Sequence, residues 1–175
     1  MKIRGERMEN TLLNTVHDKL KSKFSDAIIS AEQSYDFPVF IINREKIFDV
    51  VKFLKEDPEM GFEFLTTLCG LHYPDNKGQE LGVMYQLHNL PKNLRIRLKT
   101  FFPIADPHVP TMTPLFSSAN WQERQEYDFY GIIFKGHPDL KRILNMDEMN
   151  YFPMRKEYPL EDGTRTDKDD KMFGR

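Results

Sequence analysis

The apolar positions at the start of the chain repeat with a helical period. Leu12, Leu13, Val16, Leu20 and Phe24 recur at three- and four-residue steps from Glu9 to Phe24, with Lys19, Lys21 and Lys23 between them, which predicts an amphipathic first helix. The period then shortens. Ala27 to Ala31 and Phe37 to Ile42 are short runs rich in isoleucine, valine and phenylalanine, parted by polar Glu32 to Asp36, and they predict a strand pair. Asn43 offers an N-cap for Arg44 to Lys55, where Ile47, Val50, Val51 and Leu54 form one stripe, and Asp57-Pro58 ends that second helix.

Phe62 to His72 reads as a further strand. Asp75-Asn76-Lys77-Gly78 is turn chemistry, after which Leu81, Val83, Tyr85 and Leu87 alternate with Gly82, Met84 and Gln86, so a hairpin is expected. The loop Asn89 to Lys92 leads to the cleanest alternation in the chain, with Leu94, Ile96 and Leu98 on one side and Arg95, Arg97 and Lys99 on the other. The basic side reads as a solvated sheet surface; the alternative is a surface for an acidic partner. Beyond Phe102, Pro103, Pro107, Pro110 and Pro114 break regular structure. Thr113-Pro114 also has the form of a helix start, so a helix is expected there, interrupted at Ser117-Ser118, resuming from Asn120 to Tyr130 and stopped by Gly131. After Leu144 the chain turns polar and proline-punctuated, which divides it into a domain over residues 1–145 and a C-terminal tail over 146–175.

Composition narrows the function classes. The 39% hydrophobic, 30% charged and 13% aromatic content is that of a folding globular chain of 175 residues. A formal net charge of -2 provides no basic field for phosphate neutralisation, so nucleic acid is not an expected partner. No apolar run approaches bilayer-spanning length, and the residues from Met1 to Glu9 lack the apolar stretch of a secretory signal; Met8 is an equal candidate for the translation start. The lone cysteine, Cys69, cannot by itself hold an iron-sulfur cluster or a structural zinc, and its apolar setting predicts a buried, inert thiol. Gly78 and Gly82 are isolated, so no phosphate-cradling loop is legible.

One stretch concentrates chemistry. Glu123, Arg124, Glu126 and Asp128 crowd a short segment with Trp121, Tyr127, Phe129 and Tyr130, and His137-Pro138-Asp139 lies close behind. These residue types could form a metal-dependent hydrolytic site. Glu123 and Asp128, however, are five residues apart and diverge by roughly 140° around a helix, so they do not converge on one ion. His17, His72, His88 and His108 have no partner at ligand spacing. Structural or intersubunit salt bridges are the preferred reading, since arginine and aromatic side chains are what interfaces enrich.

The stretch from Asn120 to Leu144, N-W-Q-E-R-Q-E-Y-D-F-Y-G-I-I-F-K-G-H-P-D-L-K-R-I-L, closely resembles the signature of the 30 kDa subunit of respiratory complex I. Arg155-Lys156-Glu157-Tyr158-Pro159-Leu160 is similar to that family's R-K-D-Y-P-L, and Leu87 to Leu98 to its basic alternating strand. Gln125 departs from the family's third acidic residue, and His72 stands where aspartate is common. The resemblance implies an α+β fold, with helices packed on a mixed, largely antiparallel sheet and followed by an extended C-terminal tail. It implies a non-catalytic scaffold of the peripheral arm of a proton-translocating NADH:quinone oxidoreductase, on the cytoplasmic face of the bacterial cell membrane. The chief partner is then the 49 kDa subunit beside the quinone-reducing module, and membrane contact comes only through the complex. No catalytic, cofactor-binding or metal-ligating residue is expected in this chain, and flavin and iron-sulfur clusters are expected in partner subunits. Trp121, Glu123, Arg124, Asp128, His137, Asp139, Arg142, Arg155, Lys156 and Tyr158 are the expected structural or interface anchors. Related scaffolds serve membrane-bound nickel-iron hydrogenases and formate hydrogenlyase, which makes such a complex the alternative.

Overall fold

A computed structural model describes residues 2–158 apart from residue 36, with side chains from residue 13 onward. Helix α1 (Lys2–Lys23) comes first, and its Val16 and Leu20 are fully buried. The helix begins before the expected Glu9; Leu12 lies outside the described side chains. Strands β1 (Ile28–Ser34) and β2 (Phe37–Ile42) form the expected antiparallel pair, but β1 runs on to Ser34 through residues expected to be loop. Backbone pairing with apolar β2 keeps this polar segment extended, so tertiary context overrides weak strand propensity. The Asn43 side chain accepts from the Glu45 N–H, capping a short 3-10 helix (Arg44–Lys46) that leads into α2 (Ile47–Glu56). All four predicted stripe residues of α2 are buried.

Strands β3 (Phe64–His72), β4 (Leu81–Asn89) and β5 (Leu94–Phe102) follow as a meander. The five-stranded sheet has the order β1-β2-β5-β4-β3; only the β2–β5 pair is parallel. The sheet is therefore mixed and largely antiparallel, as expected. Register assigns its two faces. Phe40 pairs with Leu98, Leu98 with Tyr85 and Tyr85 with Leu68, and this row belongs to the single core shared with α1 and α2. The neighbouring row, Ile41, Lys99, Met84 and Cys69, lies on the other face.

No helix begins at Thr113. The Leu115 and Phe116 N–H groups both bond to the Met112 carbonyl and the Thr113 N–H to Thr111 Oγ1, giving one isolated turn that places Phe116 in the core. Side-chain capture of backbone donors competes with helix propagation here. Two strands that no period in the sequence revealed, β6 (His108–Pro110) among the prolines and β7 (Ile133–Lys135) after Gly131, pair in parallel as a second small sheet. Helix α3 (Ala119–Tyr130) lies between them in sequence and packs along β3. It stops as expected at Gly131, whose φ of +75° suits glycine and whose N–H donates to the Tyr127 carbonyl. Among the described residues, no helix is long and apolar enough to cross a membrane.

Candidate functional site

Helix α3 inverts the usual division between buried and exposed positions. Its buried residues are Ala119, Glu123, Arg124, Glu126 and Asp128, whereas Trp121 is 62% exposed. Buried charges persist only where partners replace water. Those partners are backbone groups together with a few side chains of this same chain.

At the C-terminal end of α3, Asp128 is enclosed by the loop that follows β7. Its Oδ1 accepts from Arg142 Nη1 at 2.7 Å and Asn145 Nδ2 at 2.9 Å. Its Oδ2 accepts from the N–H groups of Ile143, Leu144 and Asn145 at 3.1, 2.8 and 3.0 Å. Burial alone would raise the Asp128 pKa; the bonds from Asn145, Arg142 and Leu144 outweigh it and hold the carboxyl well below the ordinary range. Arg142 in turn donates to the carbonyls of Asp128, Met149 and Tyr151, so one ion pair ties helix, loop and residues 149–151 together.

Along its flank α3 meets the edge of the main sheet. The Leu68 N–H donates to Gln122 Oε1 and the Gly70 N–H to Glu126 Oε2 at 2.5 and 2.6 Å. Two strand residues span roughly 6.6–6.8 Å and four helical residues about 6.0 Å, so Gln122 and Glu126 fall in register with alternate N–H groups of β3. The helix thus supplies acceptors that a neighbouring strand would have supplied, and closes this edge. Gly70 permits the approach: a methyl there would lie 2.5 Å from the Tyr130 ring and 2.7 Å from Glu126 Oε2. One turn earlier, Glu123 accepts from Thr111 Oγ1 at 2.5 Å and the Met112 N–H at 2.6 Å, fixing the segment before α3. Burial pushes the Glu123 and Glu126 carboxyls up to about 7, against partial lowering by those bonds.

The remaining expected anchors surround this core. Arg124 stacks over Trp121, 4.7 Å from its centroid, and donates to the Lys141 carbonyl. His137 bridges the Asn120 carbonyl and the Asp139 N–H, which makes Nε2 the donor and Nδ1 the acceptor. Asp139 pairs with Lys141 at 2.8 Å on the surface. Arg155 donates to the Tyr130 carbonyl at 2.7 Å and stacks on Phe152, whose ring abuts Gly131. The Lys156 N–H donates to His72 Nδ1 at 2.9 Å; burial lowers the His72 pKa, favouring the neutral ring that can accept. Tyr158 lies against Tyr151, ring centroids 5.0 Å apart, and both are partly exposed. Residues 146–158 therefore return over α3 and β3, while the tail from residue 159 lies outside the described residues.

Glu123 and Asp128 do diverge, one toward residues 111–112 and the other toward 142–145. Among the described residues, no group of three or more His, Cys, Asp or Glu side chains is placed to hold a metal ion. Cys69 is half-buried on the outer sheet face, and burial, then Glu126, pushes its thiol pKa up. Sequence reading missed Gln122, Glu126 and Asn145 as fixed contacts, and missed His108, which bonds Asp106 at 2.5 Å beside Arg44. The four-residue spacing of Gln122, Glu126 and Tyr130 was the available signal for the first two, because it puts three side chains on one helical face.

Fold and site together define a small α+β domain whose signature helix fastens its own loops and sheet edge. The chain belongs to the family described as respiratory-chain NADH dehydrogenase, 30 Kd subunit, whose sequence profile matches residues 40–164. It is 45% identical over 121 residues to the corresponding NADH-quinone oxidoreductase subunit of a Nocardioides species, a match covering 69% of this chain and 48% of that one. The equivalent NADH-quinone oxidoreductase subunit of Mycobacterium avium is 36% identical over 152 residues, covering 85% and 65%. The chain thus spans about half the length of several curated relatives it matches. Among solved structures, a trypsin-resistant fragment of Nqo5 superposes with a TM-score of 0.63 at 33% identity, covering 73% of this chain and 98% of that one. A chain of an archaeal membrane-bound sulfane sulfur reductase shares the fold at a TM-score of 0.68 and 21% identity, covering 84% and 85%.

Proposed function

We propose that this chain is a scaffold subunit of a proton-translocating NADH:quinone oxidoreductase, that it carries no catalytic residue, and that it holds the quinone-reducing module together from the peripheral arm. It packs beside the 49 kDa subunit on the cytoplasmic face of the bacterial membrane and reaches the bilayer only through the complex. Flavin and iron-sulfur clusters sit in partner chains; electrons do not pass through this one. The observation that supports the reading best is the engagement of Asp128. All five of its hydrogen bonds come from the chain's own Arg142 and residues 143–145, which suits a fastening role and leaves no lone pair aimed at a substrate. Exposed Trp121, Leu144, Met146 and Met154 lie on and around that fastening, the large apolar side chains that an interface core uses.

The experiment is affinity purification of the tagged chain from membranes in mild detergent, with mass spectrometry of what accompanies it and a quinone-reduction assay with NADH. The expected result is co-purification of a flavin- and cluster-bearing NADH dehydrogenase that includes the 49 kDa subunit. Recovery with nickel-iron hydrogenase subunits, or alone from the soluble fraction, would contradict the assignment.

A further inference from the structure

The face of the main sheet turned away from α1 and α2 is not built like a solvated one. An antiparallel sheet that meets water on one side normally alternates apolar and polar residues. Strand β2 does not: half-buried Phe37 and Ile41 lie on the outer face with Val39 already fully buried between them, while Phe40 and Ile42 occupy the core. Met84 continues the apolar platform beside them on β4. Across it runs the basic row of β5. Arg95 is exposed and Arg97 and Lys99 are half-buried. Among the described residues none of the three has an ion pair, whereas Arg44, Arg142 and Arg155 each have a carboxylate within 4 Å. Arg97 is held flat over the platform, its guanidinium 4.4 Å from the Phe37 ring centroid and its Nε donating to Gln86. A weakly hydrated guanidinium fixed on an apolar floor is poised for a carboxylate and loses little entropy on meeting one.

We propose that this outer face docks an amphipathic, acidic helix of a neighbouring subunit, with carboxylates at four-residue intervals meeting Arg95, Arg97 and Lys99. The register is physical. Alternate residues of β5 recur at roughly 6.6–6.8 Å and helical carboxylates at about 6.0 Å, the same correspondence that lets Gln122 and Glu126 serve β3. The apolar flank of such a helix would cover half-buried Phe37, Ile41 and Met84, which a phosphate backbone could not. Charge complementarity selects the partner and sets its register.

This inference rests on the reading of the chain as a subunit of a complex, and the test separates the two. The tagged complex is treated with a zero-length carbodiimide cross-linker, which joins an amine directly to a carboxylate in contact with it, and Lys99 peptides are sequenced. In parallel, Cys69, the only thiol of the chain and a member of this face, is alkylated with a maleimide in the complex and in the free chain. Lys99 should be joined to an Asp or Glu of another subunit, Cys69 labelling should slow severalfold in the complex, and Arg95→Glu should reduce the recovered complex severalfold. Partners recovered with Cys69 equally reactive in both states would overturn this docking alone; a chain recovered alone would overturn the subunit assignment as well. Cross-links from Lys99 to the chain's own residues 161–170 would assign the face to its tail. Protection of Cys69 without a carboxylate cross-link would point to lipid or another occupant, and either result overturns the acidic helix.

Discussion

At its C-terminal end α3 places Asp128 among five donors, one of them the Arg142 guanidinium; along its flank it places Glu123 and Glu126 against one or two close donors each, with no ion pair among the described residues. All three carboxyls are buried. They differ in whether the protein replaces the water that burial removes. Where it does so fully, the charge is held and the pKa falls; where it does so partly, the proton is retained into the neutral range. One helix therefore carries a permanent electrostatic fastening at its end and a proton-dependent one along its side.

The comparison is broken most severely by removing Asp128. Asp128→Ala leaves Arg142 half-enclosed without its carboxylate and orphans three backbone N–H groups, and breaking a buried pair costs roughly 3–5 kcal/mol. Urea unfolding of the purified chain should show a large fall in midpoint, or no folded baseline. Next comes the flank. Gly70→Ala drives a methyl into Tyr130 and Glu126, and overpacking of this kind costs about 1–3 kcal/mol. The midpoint should fall while the denaturant slope stays unchanged.

A smaller effect sharpens the contrast through pH. Glu123 and Glu126 have folded values of about 7 against an ordinary 4.5, so the folded state binds more protons in that interval. Their contribution is fully present below about pH 4.5 and is lost as pH rises through about 7, so the melting temperature should fall between about pH 5 and pH 8. Glu123→Gln with Glu126→Gln should flatten that decline. Asp128 has the opposite sign: its contribution is present above the ordinary carboxylate value and disappears only in strong acid. The smallest effect is expected at Asp139, whose pair with Lys141 is exposed; Asp139→Ala should leave the melting curve unchanged.

What the sequence disclosed and what it hid follow the same division. Elements defined by local period were legible: the α2 stripe, the alternation of β4 and β5, and the Gly131 stop all appear where the pattern put them. The divergence of Glu123 from Asp128 was legible too, because it depends only on helical angle. The turn at Thr113 was not, since a buried glutamate ten residues later takes the Met112 N–H near its start. Strands β6 and β7 are three residues each and pair across 22 intervening residues, too short for any period to show. The roles of Gln122 and Glu126 depend on which strand edge lies beside them, and only tertiary structure decides that.

If the charged residues of α3 fasten an assembly rather than perform chemistry, as proposed, Asp128→Ala in the complex is the most direct test. Intact complex on native gels should be measured alongside quinone reduction with NADH per mole of flavin. The account predicts much less assembled complex, with close to normal turnover in whatever assembles. Full assembly with turnover slowed roughly a hundredfold, the loss expected when an acid–base group is removed, would show that Asp128 is a reactive residue and would contradict it.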